Sequence, residues 1–359
     1  MKTRRSLLPI LLIFLFSSWL TVGCNSNSDD ATPQGTCRIQ QYVSVSKTPV
    51  LNTTALNQTD YVYDPQGNLA KTVTTFTKQI TGSTDMQNET TTVSYTYDAE
   101  GYLTKMDSQQ KATNVFAGKT KNEQSSVVSN YAYTNSRLTS INTRRIGAYG
   151  VNTTTIESYE YDGSGDLTKK IATITYDYDP AVAIEIPVGP SGGQQISTYQ
   201  KNQLVDYVEK SGSTEYRPLT IQNGLVTMFS TTPNFRTVWE YDNQKRQAKI
   251  TDYVGDTLIR TTSQTWSDAK PAIASLPAFK GFPATIPSSD FGQPGVLATS
   301  TNANWNSISK KMETSVEQTS VIQTNSQGFV TSVVSTAKHP GVVSQDFTTT
   351  ETYTYAGCQ

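Results

Sequence analysis

Val93-Ser94-Tyr95-Thr96-Tyr97-Asp98-Ala99-Glu100-Gly101-Tyr102-Leu103-Thr104-Lys105 reads as a strand, a tight turn and the start of a second strand. Residues before Asp98 alternate, so Tyr95 and Tyr97 share one face of an extended chain. Asp98 can fold back onto backbone amides at the start of a turn. Gly101 supplies a positive φ without a Cβ clash. A four- or five-residue loop with glycine in the left-handed position is a common hairpin connection. Leu103 opens the return strand, and the flanking Thr, Val and Tyr favour strands.

The same phrase recurs as Tyr63-Asp64-Pro65-Gln66-Gly67-Asn68-Leu69-Ala70-Lys71 and as Tyr161-Asp162-Gly163-Ser164-Gly165-Asp166-Leu167-Thr168-Lys169. Weaker copies surround Tyr133-Thr134-Asn135-Ser136-Arg137-Leu138, Tyr199 to Leu204, Asn223-Gly224-Leu225, Tyr241-Asp242 and Asn325-Ser326-Gln327-Gly328-Phe329. Spacing between the tyrosines is uneven. The units are therefore hairpins with variable far-end loops, not a strict solenoid.

The frame Tyr-Asp-x-x-Gly-x-Leu resembles the YD repeat of RHS-type and teneurin-like proteins. That resemblance implies a large β shell wound from hairpins. The family has Arg between Gly and Leu, whereas the three clear copies carry Asn68, Tyr102 and Asp166 there. Together with the amino-terminal pattern described below, the chain also resembles a group of secreted Bacteroidota proteins with porin-like β folds.

Alternating runs predict an all-β chain, one antiparallel meander of roughly 18–20 strands. An open sheet that wide would curl, split or close, and its edges would invite aggregation. Closure into a barrel-like shell is the first expectation, and a stacked double sheet is the alternative. The outward face shows no sustained band of Leu, Val and Phe, which argues against a membrane-spanning barrel.

In the 359-residue sequence, Met1 to Gly23 has the pattern of a signal peptide. Lys2, Arg4 and Arg5 precede an apolar stretch too short to span a bilayer. Thr21-Val22-Gly23-Cys24 resembles a bacterial lipobox, which implies lipidation of Cys24. The acidic Asn25-Ser26-Asn27-Ser28-Asp29-Asp30 then resembles a surface-export signal of Bacteroidota lipoproteins. Residues 24–36 read as a polar tether and 37–358 as a single repeat domain. The implied location is the outer membrane, anchored through lipid at the cell surface.

Removing the three leader cations takes the formal net charge from −1 to −4. No basic run survives to neutralise phosphates, so nucleic acid is not an expected partner. His339 is the one histidine, set in the turn-like Lys338-His339-Pro340-Gly341. A Ser-His-Asp triad would have to use it, and no Gly-x-Ser-x-Gly elbow is present. Three cysteines and one histidine are too few for a zinc site. No cofactor motif is present. Asp177 and Asp179 share a strand face and are the remaining carboxylate pair for glycoside chemistry.

Residues 267–304 differ from the rest, with Pro271, Pro277, Pro283, Pro287 and Pro294 among Leu276, Phe279, Phe282 and Phe291. These apolar groups are costly to leave in water, so the segment is expected to plug or cover the sheet as an ordered loop. Trp266 and Trp305 bracket it and are candidate ligand-stacking residues, or its anchors. Cys37 and Cys358 flank the repeats. The last strand lacks a return partner and the first lacks a predecessor. Pairing them places the two thiols side by side, and an exported chain would oxidise them to a disulfide. The reading with most support is a non-enzymatic surface lipoprotein, a β scaffold for binding a glycan or an envelope protein. The alternatives are a polysaccharide-active enzyme and an accessory lipoprotein of an outer-membrane transport complex.

Overall fold

The structure is a computed structural model that describes residues 37–50, 52–147, 151–178, 192–232, 234–283, 295–306, 309–342 and 345–358. The leader, Cys24, the tether and Asp179 lie outside these residues.

The strands begin with Arg38–Thr48 (β1), Thr53–Tyr63 (β2), Leu69–Ile80 (β3), Met86–Tyr97 (β4), Leu103–Phe116 (β5), Lys119–Thr134 (β6) and Arg137–Ile146 (β7). Val151–Tyr161 (β8), Leu167–Tyr178 (β9), Gly193–Gln200 (β10), Gln203–Ser211 (β11), Thr214–Tyr216 (β12), Leu219–Gln222 (β13) and Leu225–Thr232 (β14) follow. Phe235–Tyr241 (β15), Gln247–Val254 (β16), Thr257–Ser267 (β17), Val296–Asn306 (β18), Lys311–Thr324 (β19), Val330–Lys338 (β20) and Phe347–Ala356 (β21) complete the set.

The 21 strands among the described residues belong to one antiparallel meander. The expected range of 18–20 falls short because β12 and β13 hold only 3 and 4 residues, too short to show an alternating pattern. The all-β antiparallel meander is the expected one, held in a single continuous ladder. β1 pairs with β2 on one side and with β21 on the other, with Arg38 opposite Ala356. The terminal strands thus complete each other's hairpin, as the sequence implies.

The sheet is not closed into a barrel, contrary to the first expectation. Its ladder runs from β13 through β21 and β1 to β12 and stops there, with no ladder between β12 and β13. Between them lie only Arg217 and Pro218, and proline has no amide hydrogen to donate. Consecutive in sequence, the two free ends of the sheet are held side by side. Side chains seal this seam: Arg217 Nε lies 3.6 Å from Asp206 Oδ1, and Leu219 and Ile221 pack on the cluster containing Leu204 and Val226.

Each turn is built as its residues dictate. Asp98 N–H donates to Tyr102 O and Gly101 N–H to Asp98 O, at 3.0 and 3.1 Å. Asp98 Oδ1 accepts from Glu100 N–H and Tyr102 N–H at 3.1 and 2.8 Å. Asp64, Asp162, Asp242 and Asn325 repeat this design. At the Asp242 turn, Lys245 takes the left-handed position at φ 63°, where the clear repeats have glycine.

One further bond recurs between neighbouring strands. Tyr63, Tyr97, Tyr133, Tyr161, Tyr241 and Tyr355 donate their hydroxyls to the carbonyls of Ile39, Leu69, Leu103, Leu138, Val226 and Val330, at 2.6–2.9 Å. Each acceptor is the first inward residue of the preceding return strand. Its side chain is buried, worth about 1.5–3 kcal/mol each. Arg38 and Arg137 fill the slot before two of these residues, and their guanidinium groups lie over the rings of Tyr63 and Tyr161. A Cβ on Gly67 or Gly165 would collide with them.

Residues 268–283 cross the turn end of the sheet as a plug. Lys270 exchanges backbone bonds with Gly328 and Val330, Ser275 Oγ accepts from Ile39 N–H at 3.1 Å, and Gly281 O accepts from Leu138 N–H at 2.8 Å. The plug thereby occupies amides at the starts of three separate return strands. Ala272 and Leu276 are buried, and Phe282 packs against both core clusters. Within the expected 267–304 segment, residues 268–283 are packed as Leu276, Phe279 and Phe282 require, while Pro287, Phe291 and Pro294 lie outside the described residues. The segment's carboxyl-terminal boundary is earlier than expected, because 296–306 is strand β18 rather than loop.

Candidate functional site

Strand alternation sets the two faces of the sheet. Phe279 of the plug stacks on Tyr95 with ring centroids 6.0 Å apart, so the face carrying Tyr95, Val93, Thr91 and Glu89 is the concave one. Near the turns this face is apolar and tyrosine-rich. Further up the strands it is polar.

The polar part is organised in cross-strand rungs. Thr59 and Thr74 share a hydroxyl bond of 2.9 Å, Ser46 and Thr349 one of 2.7 Å, and Ser320 and Ser335 one of 2.9 Å. Gln110 Nε2 donates to Glu89 Oε1 at 2.6 Å, and Ser125 Oγ donates to Gln110 Oε1 at 2.7 Å. These side chains are half-buried rather than buried. Asn57 Oδ1 and Gln264 Oε1, on the same face, are buried acceptors with no hydrogen-bond partner. Such groups cost free energy unless a donor reaches them.

Carboxylates on this face are held by tyrosines. Glu351 accepts from Tyr42 and Tyr353 at 2.9 and 3.0 Å. Glu157 accepts from Tyr159 at 2.9 Å and pairs with Lys170 at 2.6 Å. Tyr207 donates to Glu209 at 3.0 Å. Burial, and then the charge of Glu351, push the Tyr42 and Tyr353 phenols well above their ordinary range. Burial and the charge of Glu157 do the same to Tyr159. All three stay neutral donors at physiological pH. Asp252 is buried with Arg260 Nε 2.6 Å from Oδ2 and the Thr237 hydroxyl 2.7 Å from Oδ1.

The structure does not bring the two candidate tryptophans together. Trp266 lies opposite Leu297 and Trp305 opposite Met312, at the two ends of β18. Eight residues of strand separate those levels, about 26 Å. Trp266 Nε1 donates to Gln247 O at 2.7 Å, the bond that tyrosines make elsewhere, so Trp266 anchors a hairpin. Trp305 is exposed at the far end. Asp177 is exposed and pairs with Asn152, on the face opposite Tyr176 and away from the concave surface.

Cys37 and Cys358 form a disulfide with Cα atoms 4.3 Å apart, and Asn325 Nδ2 lies 3.5 Å from each sulfur. The tyrosine–glutamate clusters are what sequence reasoning missed. Their signal was present: Glu157-x-Tyr159, Tyr207-x-Glu209 and Glu351-x-Tyr353 place both side chains on one strand face.

No protein-family model matches the sequence, and no curated protein matches it. Among solved structures the chain is similar to a porin-like protein from Bacteroides uniformis, with 15% identity and a TM-score of 0.34 over 91% of this chain and 100% of that one.

Proposed function

We propose that this chain is a non-enzymatic, lipid-anchored protein of the outer-membrane surface, whose curled sheet is a scaffold for binding an uncharged, hydroxyl-rich ligand such as a glycan. The YD-type hairpin phrase and the lipobox-like Thr21-Val22-Gly23-Cys24 support the repeat assignment and the address. One observation carries the binding reading: the concave face is lined by half-buried Thr, Ser and Gln rungs with the unpartnered acceptors Asn57 Oδ1 and Gln264 Oε1. Hydroxyl and amide rungs beside tyrosine-held carboxylates, in a partly enclosed surface, suit a polyol better than a phosphate or a hydrocarbon.

The test is a panel of neutral and acidic polysaccharides offered to the mature chain, with a second chain carrying Thr74→Trp to fill the concave face. Saturable binding of a neutral polymer, lost in the Thr74→Trp chain and without shortening of the polymer, is expected. Release of shorter products would make the protein an enzyme. Retention by the Thr74→Trp chain would move the site elsewhere.

A further inference from the structure

The end of the sheet opposite the plug carries a second feature. β5 and β6, at 14 and 16 residues, are among the longest strands, and their hairpin projects beyond neighbours such as β7, which has 10. The tips of three adjacent hairpins form this lip: β1–β2, β3–β4 and β5–β6. Each presents an exposed apolar side chain, namely Val50, Ile80 and Phe116, and Phe116 is 74% exposed. Isolated exposed apolar residues need no explanation, but three on neighbouring tips at one level form a patch.

The tips are fixed to one another. Thr81 N–H donates to Asn52 O at 2.8 Å, joining the first tip to the second. Ala117 N–H donates to Asp85 Oδ1 at 2.9 Å, joining the second to the third. Lys47, Lys78 and Lys119 stand exposed beside the apolar residues, while Lys121 pairs with Glu123. In the lip, four lysines stand against Asp85 and Glu123, in a chain whose formal net charge is −1.

We infer that this lip is a membrane-contact site that inserts Phe116, Ile80 and Val50 into the interface of an anionic bilayer. Apolar tips enter the boundary between headgroups and acyl chains, and lysines beside them meet lipid phosphates while their stems stay on apolar surface. The alternation of one apolar tip with one cation on each hairpin complements a surface that is apolar below and anionic above. The site is separate from the proposed anchor at Cys24: Cys37 is at the plug end, a strand's length away from the lip.

Vesicle co-sedimentation decides it, using the full mature chain with Cys24→Ser so that no acyl chain contributes. Phosphatidylcholine vesicles and vesicles with added phosphatidylglycerol are compared. Binding is expected to the anionic vesicles only, to weaken with salt, and to fall about tenfold or more in Phe116→Ser. Lys119→Glu, which leaves the apolar tips intact, should also weaken it. No binding by the folded wild type, or binding unchanged in both variants, would overturn the inference. A dimer in solution that Phe116→Ser dissolves would also overturn it, by making the lip a contact between copies of this chain.

Discussion

Replacing Cys37 and Cys358 with serine should cost the protein up to about 6 kcal/mol, the largest effect expected from any single bond. The bridge closes a loop with a sequence separation of 321, and the loss of unfolded-chain entropy grows with the logarithm of loop length. The loss should also be local. Ile39, one residue from the bridge strand start, accepts Tyr63 and donates to Ser275 of the plug, so freeing β1 loosens both. Urea unfolding of the oxidised chain against the double variant reads the total. Amide exchange should rise first at Ile39 and Val330. Equal urea midpoints would mean that the β1–β21 ladder alone holds the sheet together.

Alkali should unfold the protein far below the pH at which its buried tyrosines would ionise in the folded state. Burial pushes Tyr95 and Tyr199 up to about 12 from 10.0. Below pH 10, folded and unfolded chains both keep these protons. Between 10 and 12 only the folded chain does, so stability present at lower pH is lost as pH rises. Each such tyrosine contributes about 3 kcal/mol across that window, and the two are only 9% and 5% exposed. Tyr42, Tyr159 and Tyr353 act in the same direction through burial and a neighbouring glutamate. The phenolate absorbance of the buried tyrosines should appear in the same cooperative step as the loss of circular dichroism, above pH 10. Phenolate formation by all the tyrosines with the sheet intact would show that these rings are not buried.

The hairpins were legible because Asp98, Gly101 and Leu103 each have a physical job that few other residues do. The pairing of β1 with β21 was legible for the same reason, since Tyr353-Thr354-Tyr355 is half of that phrase. The plug was legible from the cost of exposing Leu276 and Phe282. The seam was not: β12 and β13 are shorter than the period that reveals strands, and only the proline at 218 marks the break. The tyrosine hydroxyl bonds were not legible either, because each joins residues 15–30 positions apart in the sequence. Trp266 shows the limit of reading residue type alone. An indole N–H replaces a phenol hydroxyl on a carbonyl, so an apparent ligand-binding residue is part of the frame.

The account depends on a concave face that is walled yet wet. Cysteine substitution at two adjacent positions of β3 tests this most directly. Thr74 faces inward and is half-buried, whereas Thr75 faces outward and is exposed. Maleimides of increasing size are offered to Thr74→Cys and Thr75→Cys chains with the native disulfide intact. The account predicts that Thr75→Cys reacts with every reagent, while Thr74→Cys reacts with small ones and resists bulky ones. Complete protection of Thr74→Cys would mean a packed interior, and equal reactivity with bulky reagents would mean an open sheet; either result would contradict it.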